Sequence, residues 1–176
     1  AIPDDTIGYW SFDADADEAG DVEGKINEGK LFTNSGSGFN TGESFDVSEF
    51  TLSTWIKTED LDRADLFKGF ESNPPYAGFG LVLNPEPEYG GCEDDSVGFW
   101  VGSGSYVCVN SAGIADDEWH LITATFDGTV AKIYIDEIEE IASSSIASNL
   151  VHETGVVLGY NQGYAANSSM GYFEGV

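Results

Sequence analysis

Apolar and polar residues alternate in short runs along this chain, most clearly between Glu118 and Asp136. Trp119–Phe126 alternates, Asp127-Gly128 interrupts the run, and alternation resumes through Ala131, Ile133 and Ile135. A period of two on both sides of an Asp-Gly predicts a β-hairpin, because side chains alternate across a strand and Asp-Gly accepts the turn geometry that matches strand twist. The same pattern marks strands at Ile7–Phe12, Lys30–Thr33, Phe39–Asn40, Leu66–Phe70, Gly78–Leu83, Val97–Val101, Tyr106–Val109 and Val156–Gly159, with one more beginning at Met170–Phe173. Phe50–Lys57 puts Phe50, Leu52, Thr54 and Ile56 on one face and Trp55 on the other, which suits a strand covered on both sides. Pro85 and Pro87 exclude Asn84–Gly91 from any ladder. Almost nothing has helical periodicity. Many short strands with frequent turns predict an all-β, two-sheet antiparallel jelly-roll sandwich, with residues 1–176 as one domain.

Composition supports this picture. A 41% hydrophobic and 13% aromatic content is ample for a core, so the chain is not a disordered one. No apolar run approaches the roughly 18 residues that a membrane-spanning helix requires. Charge narrows the partners: 32 acidic residues against six basic ones give a formal net charge of −26. Such a chain cannot neutralise a row of phosphates, and an anionic membrane repels it. Three explanations of the acidity compete: a halophile's carboxylate-rich surface, calcium binding, and an ordinary acidic secreted protein. The acidic residues are spread over the whole chain, which favours the halophile and leaves room for calcium.

Candidate chemistry is sparse. Cys92 and Cys108 flank a strand–turn–strand unit, where a disulfide closes a short loop and fits an oxidising compartment; two buried free thiols are the alternative. Asp13, Asp15, Asp17 and Asp21 lie in an acidic segment with no apolar face, either a solvated loop or one folded by a cation. Tyr160, Asn161, Gln162 and Tyr164 combine aromatic faces with amides, the pairing a glycan site needs, although loop tyrosines also pack on sandwich rims. Asn167-Ser168-Ser169 is a glycosylation sequon. His120 and His152 have no nucleophile elbow beside them, and His120 reads as a structural strand residue.

Several of these stretches together resemble the laminin-G-like, concanavalin-A-like domain family. Glu118-Trp119-His120 through Tyr134-Ile135-Asp136 is similar to its hairpin, and Tyr9-Trp10-Ser11-Phe12-Asp13 to its opening strand. Phe50-Thr51-Leu52-Ser53-Thr54-Trp55-Ile56-Lys57 and Val157-Leu158-Gly159 match two further strands. The resemblance implies a secreted or cell- or virion-surface module that binds rather than catalyses, with adhesion, a glycan or a surface protein as its business. It also implies structural calcium at Asp13 with a carbonyl of the Asn34–Gly36 loop, Asp15, Asp17 and Asp21 substituting for a last-strand Asp. Glycosidases of this fold carry alternate carboxylates on one strand, and Glu137-Ile138-Glu139-Glu140 meets that spacing only at a turn. In the family a further strand follows the segment matched by Tyr172-Phe173-Glu174-Gly175-Val176, so the last strand is expected to be missing or supplied by another chain. A structural subunit of a filament, layer or virion, assembled by strand donation at that edge, is therefore the alternative function.

Overall fold

The computed structural model describes residues 22–26, 28–30, 38–43, 47–60, 63–70, 78–85, 92, 96–102, 105–110, 113–144, 156–159 and 175–176. Twelve strands are found there and no helix: β1 (Val22–Glu23), β2 (Glu28–Gly29), β3 (Phe39–Asn40), β4 (Phe50–Ile56), β5 (Ala64–Phe70), β6 (Gly78–Leu83), β7 (Ser96–Val101), β8 (Ser105–Asn110), β9 (His120–Phe126), β10 (Val130–Ile135), β11 (Ile138–Ser144) and β12 (Val157–Leu158). They form a six-stranded sheet of order β3-β12-β5-β6-β7-β8, a four-stranded sheet of order β11-β10-β9-β4, and the small β1-β2 pair. Every pairing is antiparallel.

The core lies between the two large sheets. Phe79, Leu81 and Leu83 of β6 and Val97, Phe99 and Val101 of β7 meet Ile122, Ala124 and Phe126 of β9 and Ala131 and Ile133 of β10. Phe50 of β4 bridges the sheets, its ring centroid 4.7 Å from Phe79 and 6.0 Å from Phe99. Each such buried side chain stabilises the sandwich by about 1.5–3 kcal/mol relative to exposure, the usual scale for apolar burial.

The Asp127-Gly128 hairpin forms as expected. The Asp127 carboxylate accepts the Thr129 and Val130 amides at 2.9 and 2.7 Å, and Gly128 takes a φ of 88°. These two hydrogen bonds, that of Val130 first, hold the Asp127 carboxyl below the usual carboxylate range.

Two expectations are corrected. Phe50–Lys57 is not covered on both faces: Thr51 and Ser53, which point away from the core, are exposed, so only one face of β4 packs. The doubly covered strands are β6 and β7, central in the larger sheet and buried at every position. Nor do Glu139 and Glu140 lie in a turn. The turn is Asp136-Glu137, both left-handed at φ 51° and 70°, and it feeds β11, which pairs along β10 with a register shift at Ile133/Tyr134.

The β1-β2 pair lies against the outside of the four-stranded sheet, where the Lys25 ammonium stands 5.0 Å from the centroid of the Trp55 ring. At the same side Lys57 and Val176 exchange two backbone hydrogen bonds, of 2.8 and 3.0 Å.

Candidate functional site

The six-stranded sheet has a second face, turned away from the core, and it carries the fold's unusual chemistry. One register row crosses all six strands: Asn40, Val157, Lys68, Gly80, Trp100, Tyr106. The next row is Asp65, Val82, Gly98, Cys108, and Ser96 stands beyond it opposite Asn110. Glycines at 80 and 98 leave the middle of this face without side chains, the usual mark of a strand position that another group approaches closely. At Gly80 the approaching group is the Trp100 indole, since any Cβ there would overlap Nε1 and lie 2.7 Å from Cε2.

Asp65 and Lys68 share this face because of a β-bulge. The register slips between Asp65 and Phe67, so Leu66 is an extra residue, and both Leu66 and Phe67 pack toward the core. Strict alternation would put residues three apart on opposite faces. The bulge instead brings the Lys68 ammonium 3.6 Å from Asp65 Oδ2. Both are buried, at 9% and 2% exposure. Burial pushes the Asp65 carboxyl up, with Lys68 and then Arg63 pulling it back. Burial likewise pushes the Lys68 ammonium down, with Asp65 opposing and Arg63 assisting.

Among the described residues two buried oxygens on this face lack a hydrogen-bond partner, Ser96 Oγ and Asp65 Oδ2, the latter meeting only the Lys68 ammonium at ion-pair distance. Buried polar atoms are nearly always paired, because each orphan costs about 1–3 kcal/mol. A carboxylate acceptor, a hydroxyl and an ammonium beside an indole form a set that can grip a hydroxyl-rich ligand. None of these residues stands in a motif. The available signals are the glycines inside otherwise apolar strands, Gly78-Phe79-Gly80-Leu81 and Val97-Gly98-Phe99.

Of the residues singled out from sequence, Cys92 and Cys108 are joined by a disulfide, with Cα atoms 5.5 Å apart. Cys108 shares the row of Asp65, so the bond ties the β6–β7 connection to this sheet. Asp13, Asp15, Asp17, Asp21 and Asn34, the calcium candidates, lie outside the described residues, as do Tyr160, Asn161, Gln162, Tyr164 and the sequon at Asn167. Among the described residues no group of His, Cys, Asp or Glu is arranged to hold a metal ion.

At the end of the four-stranded sheet, His120 sits between two carboxylates: Nδ1 is 2.8 Å from Asp136 Oδ2 and Nε2 is 3.1 Å from Asp116 Oδ1. Lys57 and Asp117 pair nearby at 3.2 Å.

Comparison with known proteins agrees with this architecture. None of the curated proteins is significantly similar in sequence. Domain 4 of AbnA, an extracellular arabinanase of Geobacillus stearothermophilus solved with arabinotriose, superposes with a TM-score of 0.61 at 17% identity, over 90% of this chain and 71% of that one. The CBM40 of the Ruminococcus gnavus IT-sialidase, bound to α2,3-sialyllactose, gives 0.59 at 14% identity over 82% and 83%. Mouse laminin α1 domains LG4-5 give 0.53 at 16% identity, covering 79% of this chain, which spans 36% of that longer one. A laminin-G-like family model, described as the concanavalin A-like lectin/glucanases superfamily, matches residues 32–176. The chain therefore belongs to the laminin-G-like branch of the concanavalin A-like lectin/glucanase superfamily.

Proposed function

We propose that the chain is a non-catalytic glycan-binding module of a secreted or surface protein, and that the polar groups buried on the outer face of the six-stranded sheet underlie its site. The observation that carries this reading is a pair of buried oxygens that lack a close hydrogen bond among the described residues, Ser96 Oγ and Asp65 Oδ2, the latter held only by the Lys68 ammonium at 3.6 Å, on the face that also holds the Trp100 indole. Sugar hydroxyls both donate and accept, so they match a carboxylate, a hydroxyl and an ammonium alike. Structural relatives solved with arabinotriose and with sialyllactose support a saccharide as the ligand class. A net charge of −26 opposes the approach of anionic glycans, so a neutral saccharide is the better fit.

Calorimetric titration with a panel of neutral and sialylated oligosaccharides tests the reading. Asp65→Asn and Ser96→Ala should each weaken binding about tenfold, the scale of one lost hydrogen bond to a charged or buried group. Binding unchanged in both variants, or no binding across the panel, would refute it.

The acidic surface is proposed as an adaptation to high salt, and calcium as a scaffold ion at Asp13 and its neighbours, both from sequence. The strand-donation alternative rests on the edge of β4, which has β9 on one side and, among the described residues, only Val176 paired near its end. It predicts that the purified chain polymerises or binds a donor-strand peptide. A stable monomer indifferent to that peptide excludes it.

A further inference from the structure

We propose that His120 is a protonation-dependent clasp that ties the turn before β9 to the β10–β11 turn and lets go of its Asp116 arm as pH rises. The geometry requires a charged ring. Both imidazole nitrogens face carboxylate oxygens, at 2.8 Å and 3.1 Å, yet neutral imidazole has one N–H and one lone pair. Only imidazolium can donate to both. In the neutral form one nitrogen turns its lone pair on a carboxylate, and that contact becomes repulsive.

Which arm is released follows from how each carboxylate is held. Asp136 is anchored to β9: its Oδ1 accepts the Leu121 amide at 3.0 Å, and its own amide donates to the Leu121 carbonyl at 3.0 Å. Among the described residues the Asp116 carboxylate is held, besides His120, within its own turn, by the Glu118 amide at 2.9 Å and by its own backbone amide. The remaining proton therefore stays on Nδ1 toward Asp136, and Nε2 drops Asp116. The response stays local, because Ile114 is buried in the core and the Asp117 amide holds the Thr58 carbonyl at 3.1 Å. The charges that act on the ring are Asp136 and Asp116; Lys57 at the end of β4 is paired with Asp117, and Glu118 and Glu137 are the charged neighbours along the two turns.

Titration directions agree with the geometry. Burial pulls the His120 pKa down, but the hydrogen bonds to Asp136 and Asp116 outweigh it, and the net value is raised above the ordinary 6.5. The hydrogen bond from His120, then that from the Glu118 amide, holds the Asp116 carboxyl below its usual range. At Asp136 burial pushes up, but His120 and the Leu121 amide win and the net value is lowered. The clasp is thus complete at pH values below 6.5, and it is lost as pH rises through the raised folded-state value. Its acid limit comes where Asp116 and Asp136 protonate, below the ordinary 3.8.

Nuclear magnetic resonance titration of the imidazole, with His120→Asn assigning the signal against His152, tests this together with amide hydrogen exchange. The expected midpoint lies above 6.5 and the neutral ring carries its proton on Nδ1. Protection of the Glu118 amide, corrected for intrinsic exchange, should fall several-fold through that midpoint while the Leu121 amide holds. Asp116→Asn should lower the midpoint and flatten the Glu118 response, since a side-chain amide can donate to the neutral ring. A midpoint at or below 6.5, a midpoint unmoved by Asp116→Asn, or a Glu118 amide indifferent to pH would each overturn the proposal. The wild-type titration and Asp116→Asn decide the matter even if His120→Asn does not fold.

Discussion

Gly80→Ala tests whether the Trp100 indole lies against the sheet where the structure puts it. The added methyl would overlap Nε1 and stand 2.7 Å from Cε2 and 3.0 Å from Cζ2. The obstacle is a rigid ring, 6% exposed, so it cannot swing into solvent. Gly80 itself is buried at the centre of the sheet, and its backbone is held by β5 on one side and β7 on the other. Overpacking of this kind costs about 1–3 kcal/mol. For a domain of this size that lowers Tm by roughly 2–12 °C, at about 2–4 °C per kcal/mol. Urea unfolding with an unchanged m-value would measure it as stability alone. Trp100→Phe offers relief, since the smaller ring vacates the overlap. The double variant should therefore be more stable than the two single changes predict, by on the order of 1 kcal/mol, a normal coupling for touching residues. If Gly80→Ala unfolds like the parent protein, or the double-mutant cycle shows no coupling, the indole is not over Gly80 and the geometry of the proposed site is wrong.

Other consequences can be checked independently. Replacing both Cys92 and Cys108 by Ala should lower stability by roughly 3 kcal/mol, the loop-entropy value for a crosslink over a separation of 16 residues, measured by calorimetry against the oxidised parent. Lys68→Met alone should destabilise by about 3–5 kcal/mol because it leaves the buried Asp65 charge uncompensated, whereas Lys68→Met with Asp65→Leu should recover most of the loss; equal damage from both would deny the pairing. If the acidity serves a saline habitat, the melting temperature should climb steeply with salt between low and molar concentrations, and a flat profile removes that reading. A calcium scaffold at Asp13, Asp15, Asp17 and Asp21 predicts a melting temperature that falls on adding chelator and recovers with excess Ca²⁺.

The parts of the fold that follow simple periodicity were legible from the chain. The hairpin of β9 and β10 is announced by alternation and Asp127-Gly128, and β6, β7 and β8 by apolar runs between turn residues. What escaped has a local cause in each case. β11 is hidden because Asp136 and Glu137 both adopt left-handed backbone without a glycine to signal it, and because Glu139 and Glu140 dilute the strand's apolar character. The Asp65–Lys68 pair is hidden because it depends on the bulge at Leu66, which no periodic rule foresees. His120 was legible as a strand residue, but its two carboxylates come from sixteen residues ahead and four behind, and only the turn geometry brings them together.

The bulge also bears on how such a sheet acquires chemistry. One extra residue in β5 reverses the facing of everything that follows it in that strand. Deleting Leu66 would restore strict alternation with Asp65 still opposite Val82, Phe67 opposite Leu81 and Lys68 opposite Gly80, so the charged pair would keep the outer face and become next-but-one neighbours on it. What the extra residue adds is the buried Leu66 side chain on the core side, so the core and the outer charged pair meet at a single position of β5.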